Sequence, residues 1–229
     1  MPARPALAGG LRWSAIERAL QQAHGPQLAA VDEVGRGPLA GPVVVCALVM
    51  PPEAPEVAGV DDSKRLSPAA RARVDADVRA AAVAWALGAA SAREVDRRNV
   101  YQATALAMRR ALARLAGRLG RAPDHVLVDG KPVRTLGVPH AAVVGGDGRC
   151  YAVACASVVA KEARDRLMRA LDRRHPAYAW GRNAGYGTAA HRAAVAAHGL
   201  TAHHRRSFCG AIGAVPAGAA PAPRPSPDR

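Results

Sequence analysis

The chain predicts an α/β fold, a mixed β-sheet flanked by helices with a helical C-terminal portion. Two observations carry this. Short apolar runs bounded by glycine and proline alternate with helical patterns in the order strand, strand, helix, strand, helix, strand, strand, helix, helix. The chain has 229 residues, 50% of them hydrophobic, enough for one core burying roughly 70% of the unfolded surface but not for a second. This order is not the regular strand–helix alternation of a doubly wound nucleotide-binding fold.

Taken in order, residues 1–10 are expected to be disordered. "LRWSAIERALQQAHG" places Leu11, Ile16 and Leu20 on one helical stripe, with Gly25 as a stop. Strands are expected at Leu28–Asp32 and Val43–Met50, joined tightly enough to form a hairpin, and Pro51-Pro52 end the second. Ser67 and Pro68 supply an N-cap and a first helical residue. "VAWALGAA" reads as a third strand, and "NVYQATALAMRRALARLAG" as a long helix closed by Gly117 or Gly120. "HVLVDG" and "HAAVVGGDG" read as short strands and "YAVACASVVAKEARDRLMRALDRRH" as a long helix, with a last helix at Thr188–His198. The organisation expected is an extension with a short helix (1–25), one folded domain that includes the helical C-terminal part (26–214) and a disordered Pro/Ala-rich tail (215–229).

A net charge of +14 and a pI near 11.0 point to a polyanionic partner: nucleic acid, a membrane surface or an acidic protein. Arginine far outnumbers lysine, which occurs only at Lys64, Lys131 and Lys161. A codon bias towards Ala and Arg accounts for the charge equally well. With aromatics at 3%, a stacking platform for single strands is disfavoured, and a duplex gripped by its phosphates fits better. Cys46, Cys150, Cys155 and Cys209 have no zinc or disulfide spacing and read as buried thiols. No apolar run is long enough for a bilayer, and no signal-peptide pattern opens the chain, so a soluble cytoplasmic protein is expected.

The chemistry concentrates in "AAVDEVGRGPLAGPVVVCALVM", where a strand ends in Asp32 and Glu33 and passes into a glycine-rich loop. The glycines, Gly35, Gly37 and Gly41, lack the dinucleotide spacing. A second strand follows where a nucleotide loop needs a helix. Neighbours on a regular strand face opposite ways, so Asp32 and Glu33 share one centre only if the backbone twists. Asp129 in "VLVDG" and Asp147 in "VVGGDG" end two more short strands, although Asp-Gly is also an ordinary turn dipeptide. Three strands ending in acid, if parallel neighbours, would gather carboxylates that repel unless a hard cation such as Mg²⁺ or Mn²⁺ neutralises them. In a basic protein this is an arrangement for two-metal phosphodiester hydrolysis.

The motifs "VDEVGRGPLAGPVVV", "DDSKRLS", "NVYQATALAMRRA", "VLVDG", "VVGGDG", "ACASVVAKEARDRLM", "HPAYAW", "AGYGT" and "HHRRSF" occur in the order of a bacterial ribonuclease HII, the type 2 ribonuclease H. The resemblance spans Ala29 to Phe208. It implies a ribonuclease H-like fold with a helical C-terminal extension. It also implies metal-dependent cleavage of the RNA strand of RNA–DNA hybrids and nicking 5′ of single ribonucleotides in duplex DNA, leaving 3′-hydroxyl and 5′-phosphate ends. Asp32, Glu33, Asp129 and Asp147 would be the catalytic and metal-binding set for two Mg²⁺ or Mn²⁺ ions, with Asp32 and Asp129 as the main bridges. Gly35, Arg36 and Gly37 would approach the ribose 2′-hydroxyl, the group that separates RNA from DNA. Tyr186 would contact the same hydroxyl, and Lys64 would lie near the substrate backbone.

Asp165 is expected to pair with Lys161 on a helix face and His191 to be structural. His203, His204, Arg205 and Arg206 fit phosphate contacts or a solvated turn equally. Three departures from the family pattern stand out. Asn183-Ala184 replaces the usual His-Lys before Gly185-Tyr186, Cys155 stands where alanine is usual, and Gly148 after Asp147 is expected to loosen that strand end. The partners implied are hybrid duplex and ribonucleotide-containing DNA, with no membrane, protein partners unknown and a monomer expected. Two readings compete: a non-catalytic duplex-binding protein on the same fold, which has no use for carboxylates facing phosphates, and a DNA nuclease or recombinase, which has none for a 2′-hydroxyl reader.

Overall fold

The computed structural model of the chain describes residues 10–210. A five-stranded sheet has the order β3-β2-β1-β4-β5, built from β1 (Leu28–Val34), β2 (Val43–Val49), β3 (Ala84–Ala90), β4 (His125–Asp129) and β5 (Ala141–Val143). The β1–β2 and β2–β3 pairs are antiparallel, so the expected hairpin is present. The β1–β4 and β4–β5 pairs are parallel, which sets the C-terminal ends of β1, β4 and β5 side by side.

Two helices bury the two faces of the sheet, and the period-2 alternation of strand side chains decides which residue meets which. Leu28, Ala30, Cys46, Leu48 and Leu127 pack under α4 (Tyr151–Asp172). Ala29, Val31, Val45, Ala47, Val126 and Val128 pack under α3 (Ala92–Leu119). Because both faces are covered, β2 is apolar at every position.

Helix α1 (Ala15–His24) starts later than the apolar stripe suggests. Ser14 and Glu17 form a capping box there, and Leu11 lies outside the helix with its N–H on the Val60 carbonyl at 2.7 Å. The Glu17 carboxylate, fully buried, also accepts from Tyr151 N at 3.0 Å and Ala152 N at 2.7 Å, capping α4. Helix α2 (Pro68–Ala81) has the expected Ser67 cap. It is tied to α4 by Arg71 on Glu162 and Asp165, and by Arg166 on Asp75. Helix α3 begins seven residues before the expected start and bends at Asn99, whose φ of 65° and ψ of 165° break the helix. The Asn99 Oδ1 accepts from Gln102 N at 3.0 Å and so recaps the second half.

The C-terminal portion is helical, as expected, with short α5 (Trp180–Asn183), α6 (Ala189–His198) and short α7 (Arg206–Cys209). One expectation needs correction. Asp147 does not end a strand: β5 stops at Val143, Gly145 takes a left-handed φ of 67°, and Asp147 sits in a 3-10 turn at Gly146–Gly148 that leads into α4. Gly148 therefore belongs to a turn and not to a strand end. The tail at 215–229 lies outside the described residues.

Candidate active site

The parallel register places Val31 beside Val128, so Asp32 and Asp129 are the next neighbours on adjacent strands, about 4.8 Å apart along the ladder direction. Both follow the parity of Ala30 and Leu127 and face α4. Glu33 has the opposite parity and leans to the α3 side. There it lines, with Asp129, Arg36, Tyr101, Thr104 and Lys131, a groove of about 360 Å³. The backbone thus does point the adjacent pair to opposite faces, and Asp129 stands between them. Asp147 is drawn to the same end because the Asp129 Oδ1 accepts from Gly146 N at 2.6 Å.

Electrostatics at this end are unfavourable to the charged carboxylates. Burial, then repulsion from Glu33 and Asp129, holds Asp32 well above the usual carboxylate range, and a Ser157 hydrogen bond opposes this. Burial and then Asp147 raise Asp129. Burial also raises Glu33, with the Arg36 guanidinium 3.2 Å away acting against it. Lys64 places its Nζ 3.0 Å from the Asp147 Oδ2. Among the described residues no group of three or more His, Cys, Asp or Glu side chains is arranged to hold a metal as it stands. Glu33, Asp147 and Asp129 are turned onto Arg36, Lys64 and Gly146. The donor chemistry nevertheless fits a hard divalent cation: carboxylates of β1 and β4 gather with that of the turn before α4, and burial followed by mutual repulsion raises Asp32 and Asp129.

Beside the carboxylates, residues 35–42 form the β1–β2 connection. Gly35 is buried with φ 87°, and a Cβ there would lie 2.2 Å from the Arg164 Nε. Arg36 and Gly37 are exposed. The half-exposed Tyr186 ring borders Gly37, its Cε1 3.7 Å from where a Cβ would be. Tyr186 follows a turn fixed by Asn183, which donates to the Tyr178 carbonyl at 2.7 Å and accepts from Gly185 N at 2.8 Å. Asn183 in the unusual "NAGY" stretch therefore holds the turn.

Asp165 pairs with Lys161 at 2.7 Å, and also with Arg71. His191 is buried: it donates from Nδ1 to the Tyr186 carbonyl, while its Nε2 lies 3.0 Å from the Trp180 indole N–H and 3.1 Å from the His204 Nε2. The solvated-turn reading of "HHRR" fails for two of its four residues. His204 and Arg205 are buried, Arg206 is exposed, and the Arg206 and Ser207 N–H groups rest on Asp96. Sequence reasoning missed Arg164 and Ser157, and it singled out Arg205 without its role as a buried donor to carbonyls. A signal existed for Arg164, which falls on the buried stripe Ala160, Met168 and Leu171 of α4.

A sheet of this topology, with carboxylates gathered where its parallel strands end and a basic chain around them, defines the class: a ribonuclease H-type endonuclease. The model of the family described as Ribonuclease HII matches residues 29–211. A Ribonuclease HII of Ruegeria sp. is 46% identical over 212 residues, covering 91% of this chain and 90% of its own. One of Gluconobacter oxydans is 51% identical over 195 residues, covering 83% and 91%. The ribonuclease H2 structure from Pyrococcus horikoshii OT3 shares the fold, with a TM-score of 0.66 at 24% identity over 81% of this chain and 96% of that one. The chain belongs to the ribonuclease HII family. Its activity is the divalent-metal-dependent ribonuclease H cleavage of RNA–DNA hybrids, and among its described residues no helix is long and apolar enough to cross a membrane.

Proposed function

We propose that the enzyme also nicks duplex DNA on the 5′ side of a single embedded ribonucleotide, leaving 3′-hydroxyl and 5′-phosphate ends. Asp32, Glu33, Asp129 and Asp147 would hold two Mg²⁺ or Mn²⁺ ions. When bound, the ions supply an activated water and neutralise charge on the scissile phosphate and leaving oxygen. Asp32 and Asp129, adjacent on parallel strands, would share the ions. Glu33 would contribute from the α3 side and Asp147 from the turn before α4. Lys64 and Arg36, freed from their carboxylates, would turn to substrate phosphates.

The observation that carries the single-ribonucleotide reading is Gly37. No positive φ demands glycine there, and no protein atom lies closer than the Tyr186 ring edge. The space it keeps is open to the outside beside Tyr186, where a ribose can approach. The reading includes a monomeric, cytoplasmic enzyme, and sedimentation of the purified protein checks the first of these.

The test is an end-labelled duplex with one ribonucleotide, assayed with Mg²⁺, with Mn²⁺ and with chelator beside an all-DNA control. A metal-dependent nick 5′ of the ribonucleotide, and none in the control, is expected. Cleavage of long hybrids alone would restrict the enzyme to RNA tracts. Cutting of the all-DNA duplex would remove the 2′-hydroxyl reading.

A further inference from the structure

We infer that two buried arginines, Arg205 and Arg164, are the positioning residues that set ribose specificity, by turning the carbonyls of the 35–42 loop inward and its N–H groups outward. The inference rests on the reading of that loop as the ribose reader. Arg205 donates to Gly35 O at 2.5 Å, Arg36 O at 2.7 Å and Gly41 O at 2.9 Å. Arg164 donates to Pro42 O at 3.0 Å, Ala40 O at 3.2 Å and, across to the tyrosine turn, Ala184 O at 2.9 Å. Both side chains are fully buried, and neither has a carboxylate within ion-pair distance among the described residues. Burial, then the neighbouring Arg164, pushes Arg205 down to about 10. Two like charges buried together without a paired carboxylate are a costly arrangement, and the six carbonyls they hold are what offsets it.

The consequence follows from peptide geometry. In a trans peptide the carbonyl and the next N–H point in opposite directions. Drawing Gly35 O and Arg36 O onto Arg205 therefore aims the Arg36 and Gly37 N–H groups away from the protein. Neither N–H has an acceptor among the described residues, and both residues are exposed. Two aligned donors, backed by two buried positive charges and flanked by the Tyr186 ring, suit a ribose 2′-hydroxyl oxygen and the adjoining phosphate. Leu39 N and Ala40 N both donate to Gly185 O, so the two loops move as one body. Arg164 holds both halves of that body, and Arg205 aims the donors.

The test compares wild type, Arg205→Lys and Leu115→Ala on duplexes with a single ribonucleotide or its 2′-fluoro counterpart, reading KM, kcat and melting temperature. One ammonium cannot bridge three carbonyls, so Arg205→Lys is expected to raise KM for the ribonucleotide about tenfold and to narrow the preference for 2′-hydroxyl over 2′-fluoro by a similar factor. Leu115→Ala removes core volume from the other half of α3. It is expected to lower the melting temperature and leave KM and the preference unchanged. If Arg205→Lys behaves like Leu115→Ala, the positioning role is refuted. If Arg205→Lys does not fold, Asp96→Ala frees the surface bonds to Arg206 and Ser207 that seat Arg205. It must then narrow the preference in the same direction, and an unchanged preference refutes the inference. A wild type with no preference between the two sugars would instead refute the reading of the loop as the ribose reader.

Discussion

Gly35 and Gly37, two residues apart in one loop, should respond oppositely to a single methyl group. A Cβ at Gly35 would sit 2.2 Å from the Arg164 Nε and 2.8 Å from the Pro42 carbonyl, at a φ of 87°. The left-handed backbone costs an alanine about 1–2 kcal/mol, and forcing Arg164 aside adds roughly 1–3 kcal/mol of overpacking. Gly35→Ala should therefore lose stability by about 2–5 kcal/mol, and activity with it. A Cβ at Gly37 meets only the Tyr186 Cε1 at 3.7 Å, an ordinary contact. By restricting the unfolded chain it should leave stability unchanged or raise it by about 0.4–1 kcal/mol. Its effect should fall on substrate, with KM for a ribonucleotide-containing duplex rising about tenfold or more as the methyl group fills the sugar's approach. Urea denaturation and initial rates on the two variants decide the matter. A Gly37→Ala enzyme with wild-type KM, or a Gly35→Ala enzyme as stable as wild type, refutes the reasoning.

Three further outcomes follow from charge and burial. Asp32→Asn should abolish cleavage yet raise the melting temperature by a few degrees near pH 8, because burial and the neighbouring carboxylates disfavour a charge at this position and the amide carries none. A folded pKa above the unfolded value means that this site's contribution is full below pH 3.8 and is lost as pH rises through the folded value. The variant's advantage should therefore shrink as pH falls, which melts across pH 4–8 will show. Burial and then His191 push His204 down to about 4, so its contribution is full above about pH 6.5 and is lost as pH falls towards 4. Thermal melts should weaken across that window, and His204→Phe should flatten the dependence. Glu17→Ala leaves the first turn of α4 uncapped and should cost about 3 kcal/mol in urea denaturation.

The order of elements along the chain, the β1–β2 hairpin and the helices were legible because they rest on local signals, apolar period and turn residues, whereas the strand order within the sheet does not. Pairing of Asp32 with Asp129 could be anticipated from parallel strand ends, since side-chain parity in strands is fixed. The bend at Asn99 was not legible. It depends on one side-chain oxygen recapping a helix whose apolar pattern runs straight through it. Asp147 looked like a strand terminus because an Asp-Gly pair follows an apolar run in either case, and the left-handed Gly145 diverted it. The roles of Arg164 and Arg205 were hidden for a different reason, although the buried stripe of α4 marked the first and the basic run the second. Five of the six carbonyls they hold lie 122 to 170 residues away in sequence and the sixth, of Ala184, lies 20 away, and neither side chain shows locally which carbonyls it will meet.

The most direct test of the central claim, that the strand-end carboxylates carry the metal-dependent cut, is the single-turnover cleavage rate of a ribonucleotide-containing duplex as Mn²⁺ is titrated, for wild type and Asp129→Asn. Wild type should saturate and fall to background with chelator, while Asp129→Asn should lose about a thousandfold at every concentration with its fold intact. An Asp129→Asn enzyme that cuts at the wild-type rate would contradict the account.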